Sequence, residues 1–134
     1  MRYAGMRARN SGGGLVLVYV IQSSDFQHWL GVEEIMRAEA MEEAESTLAK
    51  ASEKMRTLLG IDPETVIRQG STAEEIHAVI EEDQDIAILV LAAGSAKDGP
   101  GPLVSSIAGR GAAFPIPVTV IPDALSDEEI DALA

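Results

Sequence analysis

The stretch of this chain best suited to chemistry runs from Gly94 to Gly101, GSAKDGPG. It follows an apolar run and opens a segment with helical spacing. Backbone N–H groups around Gly94, Ser95, Gly99 and Gly101, with a helix dipole behind them, form an arrangement that favours an anion. Lys97 adds a point charge, and Ser105 offers a hydroxyl in the first turns of the helix. Against this, Pro100 and Pro102 each remove an N–H donor. The plainer reading is a tight glycine and proline connection that only starts a helix, and a glycine-rich loop after a strand is weak evidence alone.

The remaining reactive side chains form no catalytic pattern. His28 and His77 are the two histidines, and no spacing ties them together. The pair Ser105-Ser106 lacks the Gly-x-Ser-x-Gly turn that exposes a nucleophile after a strand. There is no cysteine, which excludes disulfides, thiolate catalysis and cysteine-ligated zinc. Phe26, His28 and Trp29 cluster in one loop. Aromatic clusters suit interfaces, but a loop folded over the domain's own core is the preferred reading.

The elements that must position these residues alternate between helix and strand. Arg2 to Arg9 reads as a helix stopped by Asn10 and Gly12-Gly13-Gly14. Leu15 to Ile21 (LVLVYVI) is an unbroken apolar run, as expected of a strand covered on both faces. A long helix over 33–59 carries an apolar stripe at Ile35, Met41, Ala44, Leu48, Ala51, Met55 and Leu58, and Gly60 stops it. Thr65 to Ile67 is a short strand. Ser71 and Glu74 have capping-box spacing ahead of a helix that buries Ile76, Val79 and Ile80. Ile86 to Leu91 (IAILVL) is the second fully apolar strand, expected with Leu15–Ile21 to be the most buried. Pro102 suits the first turn of a helix ending near Gly111. Ile116 to Ile121 (IPVTVI) is the last strand, and Ser126 with Glu129 caps a short helix, Asp127 to Leu133. This alternation predicts an α/β fold with parallel strands. Residues 1–134 read as one domain, with an acidic tail over 123–134.

Composition narrows the function classes. The 134 residues suffice for one hydrophobic core. Twenty-two acidic against ten basic residues give a net charge of −12, which repels nucleic acid and anionic lipid. Arg2, Arg7 and Arg9 make too small a patch to reverse that field. The absence of a membrane-length apolar run or a signal-peptide core predicts a cytoplasmic protein. The acids at Asp127, Glu128, Glu129 and Asp131 suit the helix dipole they sit on, and a docking role is not needed to explain them.

The ordered set of segments resembles the universal stress protein family. RYAGMRARNSGGGLVLVYVI is similar to the family's first helix running into its second strand. DIAILVLAAG resembles the strand that ends at its glycine loop, and FPIPVTVIP its last strand, with Pro117 at the characteristic proline. GPGPLVSSIAG, DFQHW and the tail LSDEEIDALA are similar to a bacterial subgroup. The resemblance implies a Rossmann-like, adenine-nucleotide alpha hydrolase-like fold.

This chain departs from the family pattern in two ways. The family's central strand and its aspartate-bearing turn precede the first helix, and here Met1 already falls in that helix. The chain therefore reads as N-terminally truncated relative to the family. Its two apolar strands are expected either to close up and pair directly or to accept a strand from another chain. The family's nucleotide-binding members also carry Gly, two residues, Gly, nine residues, then Gly with Ser or Thr. With Gly94 first, the second glycine falls on Lys97 and the final pair on Ile107-Ala108; anchoring on Pro117 puts that pair near Val104-Ser105. The expectation is a non-catalytic stress-response module with no cofactor and with ATP binding lost or weak. The alternative is a nucleotide-binding sensor using Gly94–Gly101. A nucleotide hydrolase lacks a visible base or metal cluster. The resemblance also implies a homodimer that pairs the last strand, Ile116, Val118, Thr119, Val120 and Ile121, with its copy. No lysine or arginine guards that edge.

Overall fold

The structure, a computed structural model, describes residues 1–22, 33–93, 101–109 and 114–134. Helix α1 (Arg2–Ser11) ends at Gly12, whose φ of 72° is left-handed and lets its N–H return to the helix carbonyls. Strand β1 (Val16–Gln22) follows, one residue later than Leu15–Ile21. Helix α2 (Glu33–Leu59) has the expected bounds. Strand β2 (Glu64–Gly70) is longer than Thr65–Ile67 because it matches the whole length of β1 in parallel register, Val16 opposite Glu64 to Gln22 opposite Gly70. Helix α3 (Thr72–Glu82) buries Ala73, Ile76, Val79 and Ile80.

The next strand is shorter than its apolar run. β3 covers only Leu89–Ala92, because Asp83 accepts from the Asp85 and Ile86 amides and turns the chain before Ile88. Helix α4 (Pro102–Ala108) begins with Pro102, as expected, and ends before Gly109 rather than near Gly111. Strand β4 (Val118–Ile121) omits Ile116 and Pro117, although the Pro117 carbonyl still accepts from the Leu89 amide. β3 and β4 are parallel, with Leu89 opposite Val118. Helix α5 (Asp127–Leu133) carries the full reciprocal capping box between Ser126 and Glu129. The equivalent box at Ser71 does not form: the Ser71 side chain makes no cap bond.

The core explains where the apolar stripe of α2 was misplaced. Ala44, Leu48, Ser52, Met55 and Leu59 are buried, whereas Ile35, Met41 and Leu58 are exposed. A stripe read at a strict seven-residue repeat drifts around a helix with 3.6 residues per turn. Over this length the drift exchanges Ala51 for Ser52 and Leu58 for Leu59. Around β1 the side chains alternate as a pleated strand requires. Leu15, Leu17, Tyr19 and Ile21 meet α1 and α2, while Val20 packs with α3, α4 and Leu91 of β3.

The described strands do not form one continuous sheet. β1 pairs with β2 and β3 with β4, in two two-stranded parallel sheets. Of the two expected outcomes, the direct pairing of β1 with β3 does not occur. Neither strand is fully buried, with only Ile21 buried along β1 and only Leu91 along β3, yet β2 and β4 bury no residue, so these two are the most buried of the described strands, as expected. Helices cover both faces of β1, as its unbroken apolar run requires, but one edge has no neighbour among the described residues.

Candidate functional site

The described part of the glycine loop is its end. Gly101 has φ 97° and ψ 159°, a backbone conformation that favours glycine, and its carbonyl accepts from the Ser105 amide 3.0 Å away to start α4. Gly94, Ser95, Lys97 and Gly99 lie outside the described residues, as do Phe26, His28 and Trp29. Ser105 and Ser106 are exposed on α4. Val104 and Ile107, on the opposite side of this helix, sit in the core beside Ile76, Ile80 and Leu91. Both candidate positions for the end of a phosphate-binding motif, Val104-Ser105 and Ile107-Ala108, therefore begin with a core residue.

His77 lies on the flank of α3, as its spacing predicts. Its Nε2 is 3.6 Å from a Glu81 oxygen, and its ring meets Phe114 edge-on with centroids 5.9 Å apart. The ring contact joins α3 to the chain ahead of β4. Among the described residues no three His, Asp or Glu side chains are grouped to hold a metal ion.

The last strand is the better-built surface. The amides of Leu89 in β3 and of Ala93 just after it donate to the Pro117 and Ile121 carbonyls. In a parallel ladder alternate residues point their backbone groups to the same side. Thr119 thus faces β3 as well, while the N–H and C=O groups of Val118 and Val120 point away from it. Val120 is 40% exposed. Beside it a cavity of about 360 Å³ is lined by Val104, Ile107, Phe114, Ile116, Val118 and Val120. Ile116 packs on the core rather than extending the strand.

One contact had no signal in the sequence. Arg2 grips Asp131 with two hydrogen bonds, 2.9 and 2.8 Å long, and its Nη1 is 3.9 Å from Asp127. This fork holds the acidic tail helix on α1. The Arg2 hydrogen bond keeps the Asp131 carboxyl below its usual value, against desolvation and with the help of the Arg2 charge. No spacing rule links residues 129 positions apart.

The profile of the universal stress protein family matches residues 1–122. The crystal structure of a hypothetical protein superposes with a TM-score of 0.65 at 21% identity, covering 92% of this chain and 89% of that one. The fold is thus shared, a mixed α/β architecture with parallel strands of the adenine-nucleotide alpha hydrolase-like kind. No curated protein matches the chain. Among the described residues no helix is long and apolar enough to cross a membrane.

Proposed function

This chain belongs to the universal stress protein family, and on that premise we propose that it is a cytoplasmic, non-catalytic regulatory module that works as a two-fold dimer, with nucleotide binding lost or weak. The outer edge of β4 carries the reading. Among the described residues no strand pairs with the backbone groups of Val118 and Val120 that point away from β3, and an apolar cavity lies beside them. Pairing the edge with its own copy satisfies both chains at once and stops at two. Pro117 and Pro122 bracket the strand and limit the ladder to a few bonds. Weak nucleotide binding is read from the missing motif glycine, where Val104 or Ile107 stands, and from Pro100 and Pro102, which offer no N–H.

Sedimentation at micromolar concentration tests the dimer. The native chain should sediment as two copies, and replacing Val118 and Val120 together with lysine should yield monomers. Calorimetric titration with ATP, ADP and AMP in magnesium tests the second part. No dissociation constant tighter than roughly 100 µM, about −5.5 kcal/mol, is expected. Stoichiometric binding at low micromolar ATP would replace this reading with that of a nucleotide sensor using Gly94–Gly101.

A further inference from the structure

Helix α2 and strand β2 do not close completely on each other. A cavity of about 360 Å³ lies between them, within the range of small-molecule sites, about 300 to 1,000 Å³. Glu45, Leu48, Ser52 and Arg56 line it from α2, spaced so that they share one helix face. Thr65 and Ile67 line it from β2. Its described walls include no residue of β4 or of the glycine loop, so what it binds does not depend on the dimer or on a nucleotide.

Ser52 is the unusual residue on that face. It stands in the buried stripe between Leu48 and Met55 and is 3% exposed. Its hydroxyl makes no hydrogen bond among the described residues, and the cavity is what it faces. A buried hydroxyl without a partner is destabilising, so this one is satisfied only by a group inside the cavity. Charge sets the rest. Arg56 is taken up by its own neighbours: Nε donates to Asp62 at 2.8 Å and Nη1 to Glu53 at 3.2 Å. Glu45 makes no ion pair among the described residues and is the uncompensated charge on the cavity wall. It does not belong to a metal site, since no three ligating side chains are grouped among the described residues.

We propose that this cavity binds a small aliphatic amine whose far end carries a neutral hydrogen-bonding group, a hydroxyl or an amide. The ammonium meets the Glu45 carboxylate, the methylene chain lies over Leu48 and Ile67, and the neutral end bonds to the Ser52 hydroxyl. Ser52 lies about 10.5 Å beyond Glu45 along the helix axis, which sets the length of the ligand. An anion is refused by Glu45 and by the net charge of −12. A second ammonium at the far end is refused by the Arg56 guanidinium, one helical turn past Ser52.

The test titrates the full chain with linear ω-amino alcohols of increasing chain length. Nuclear magnetic resonance follows the Ser52, Thr65 and Ile67 amides. Saturable shifts are expected at these residues, with affinity passing through an optimum in chain length. At the optimal length, the matching diamine and the matching hydroxy acid should each bind at least about tenfold more weakly than the amino alcohol. Glu45→Gln, at an exposed position, should weaken the amino alcohol at least about tenfold. Ser52→Ala should weaken it about fivefold or more, while urea unfolding becomes no easier. That readout separates a ligand contact from a packing role, which would lower stability and leave affinity alone. Equal affinity for the three compounds overturns the proposal. So does the absence of saturable shifts, the outcome if water alone fills the cavity. Unchanged affinity in Glu45→Gln overturns it too, whether or not the Ser52 variant folds.

Discussion

Arg2 and Asp131 show how little of a contact needs to be local. The fork joins the two ends of the described chain, and α5 has no buried residue of its own to hold it there. Its docking should therefore follow the charge of Asp131. The folded carboxyl titrates below its ordinary value because Arg2 donates to it. A group with a depressed folded pKa stabilises the docked state above the ordinary value, and that contribution fades as pH falls through the lowered one. Nuclear magnetic resonance shifts of Ile130 and Leu133 should stay those of docked helix at neutral pH and change only below about pH 4, the ordinary aspartate range. In Arg2→Ala the carboxyl should titrate within that ordinary range and α5 should be undocked even at neutral pH. Identical titrations in both proteins would show that the fork does not hold the tail.

At the scale of elements, α1 lies close against α2 at Gly5. A Cβ added at Gly5 would lie 2.7 Å from Leu59 Cδ1 and 2.8 Å from Met55 Sδ, and Met55 is only 1% exposed. The glycine is there for close approach, not for backbone freedom. Gly5→Val should destabilise the fold by about 1–3 kcal/mol through overpacking, read from urea unfolding. Gly5→Ala should cost less, because side-chain tips can shift and alanine gains about 0.5–1 kcal/mol of helix propensity over glycine. Equal stability of Gly5→Val and the native chain would mean that α1 is not packed on α2 in solution. The element boundaries were readable where caps and turns act locally, as at Gly12, Pro102 and the Ser126–Glu129 box. They were misread at β3, where the Asp83 turn takes residues from an apolar run that looks like a longer strand.

For the whole molecule, charge and apolar edges oppose each other. Two copies meeting at β4 bring together chains of −12 each. Salt screens such repulsion, with a Debye length of about 30 Å at 0.01 M and about 8 Å at 0.15 M. The dimer proposed on β4 should therefore tighten as salt rises over that range, measured by sedimentation equilibrium. Weakening instead would mean that ion pairs, not Val118 and Val120, join the copies.

The order of helices and strands, their parallel sense and the apolar faces of α3 and β1 were legible in the residues. Each depends on periodicity, chain direction or a cap within a few positions. The end of the candidate loop was legible too: Gly101 and Pro102 start α4 where expected. The neighbours of each strand were not legible. LVLVYVI reads the same whether the strand has one partner or two, since its alternating side chains report the helices above and below and say nothing of its edges. The separation of β1–β2 from β3–β4, the inward placement of Val104 and Ile107, and the grip of Arg2 on Asp131 were decided by the tertiary structure. Each joins residues far apart in the chain, and no local spacing carries a trace of such a contact.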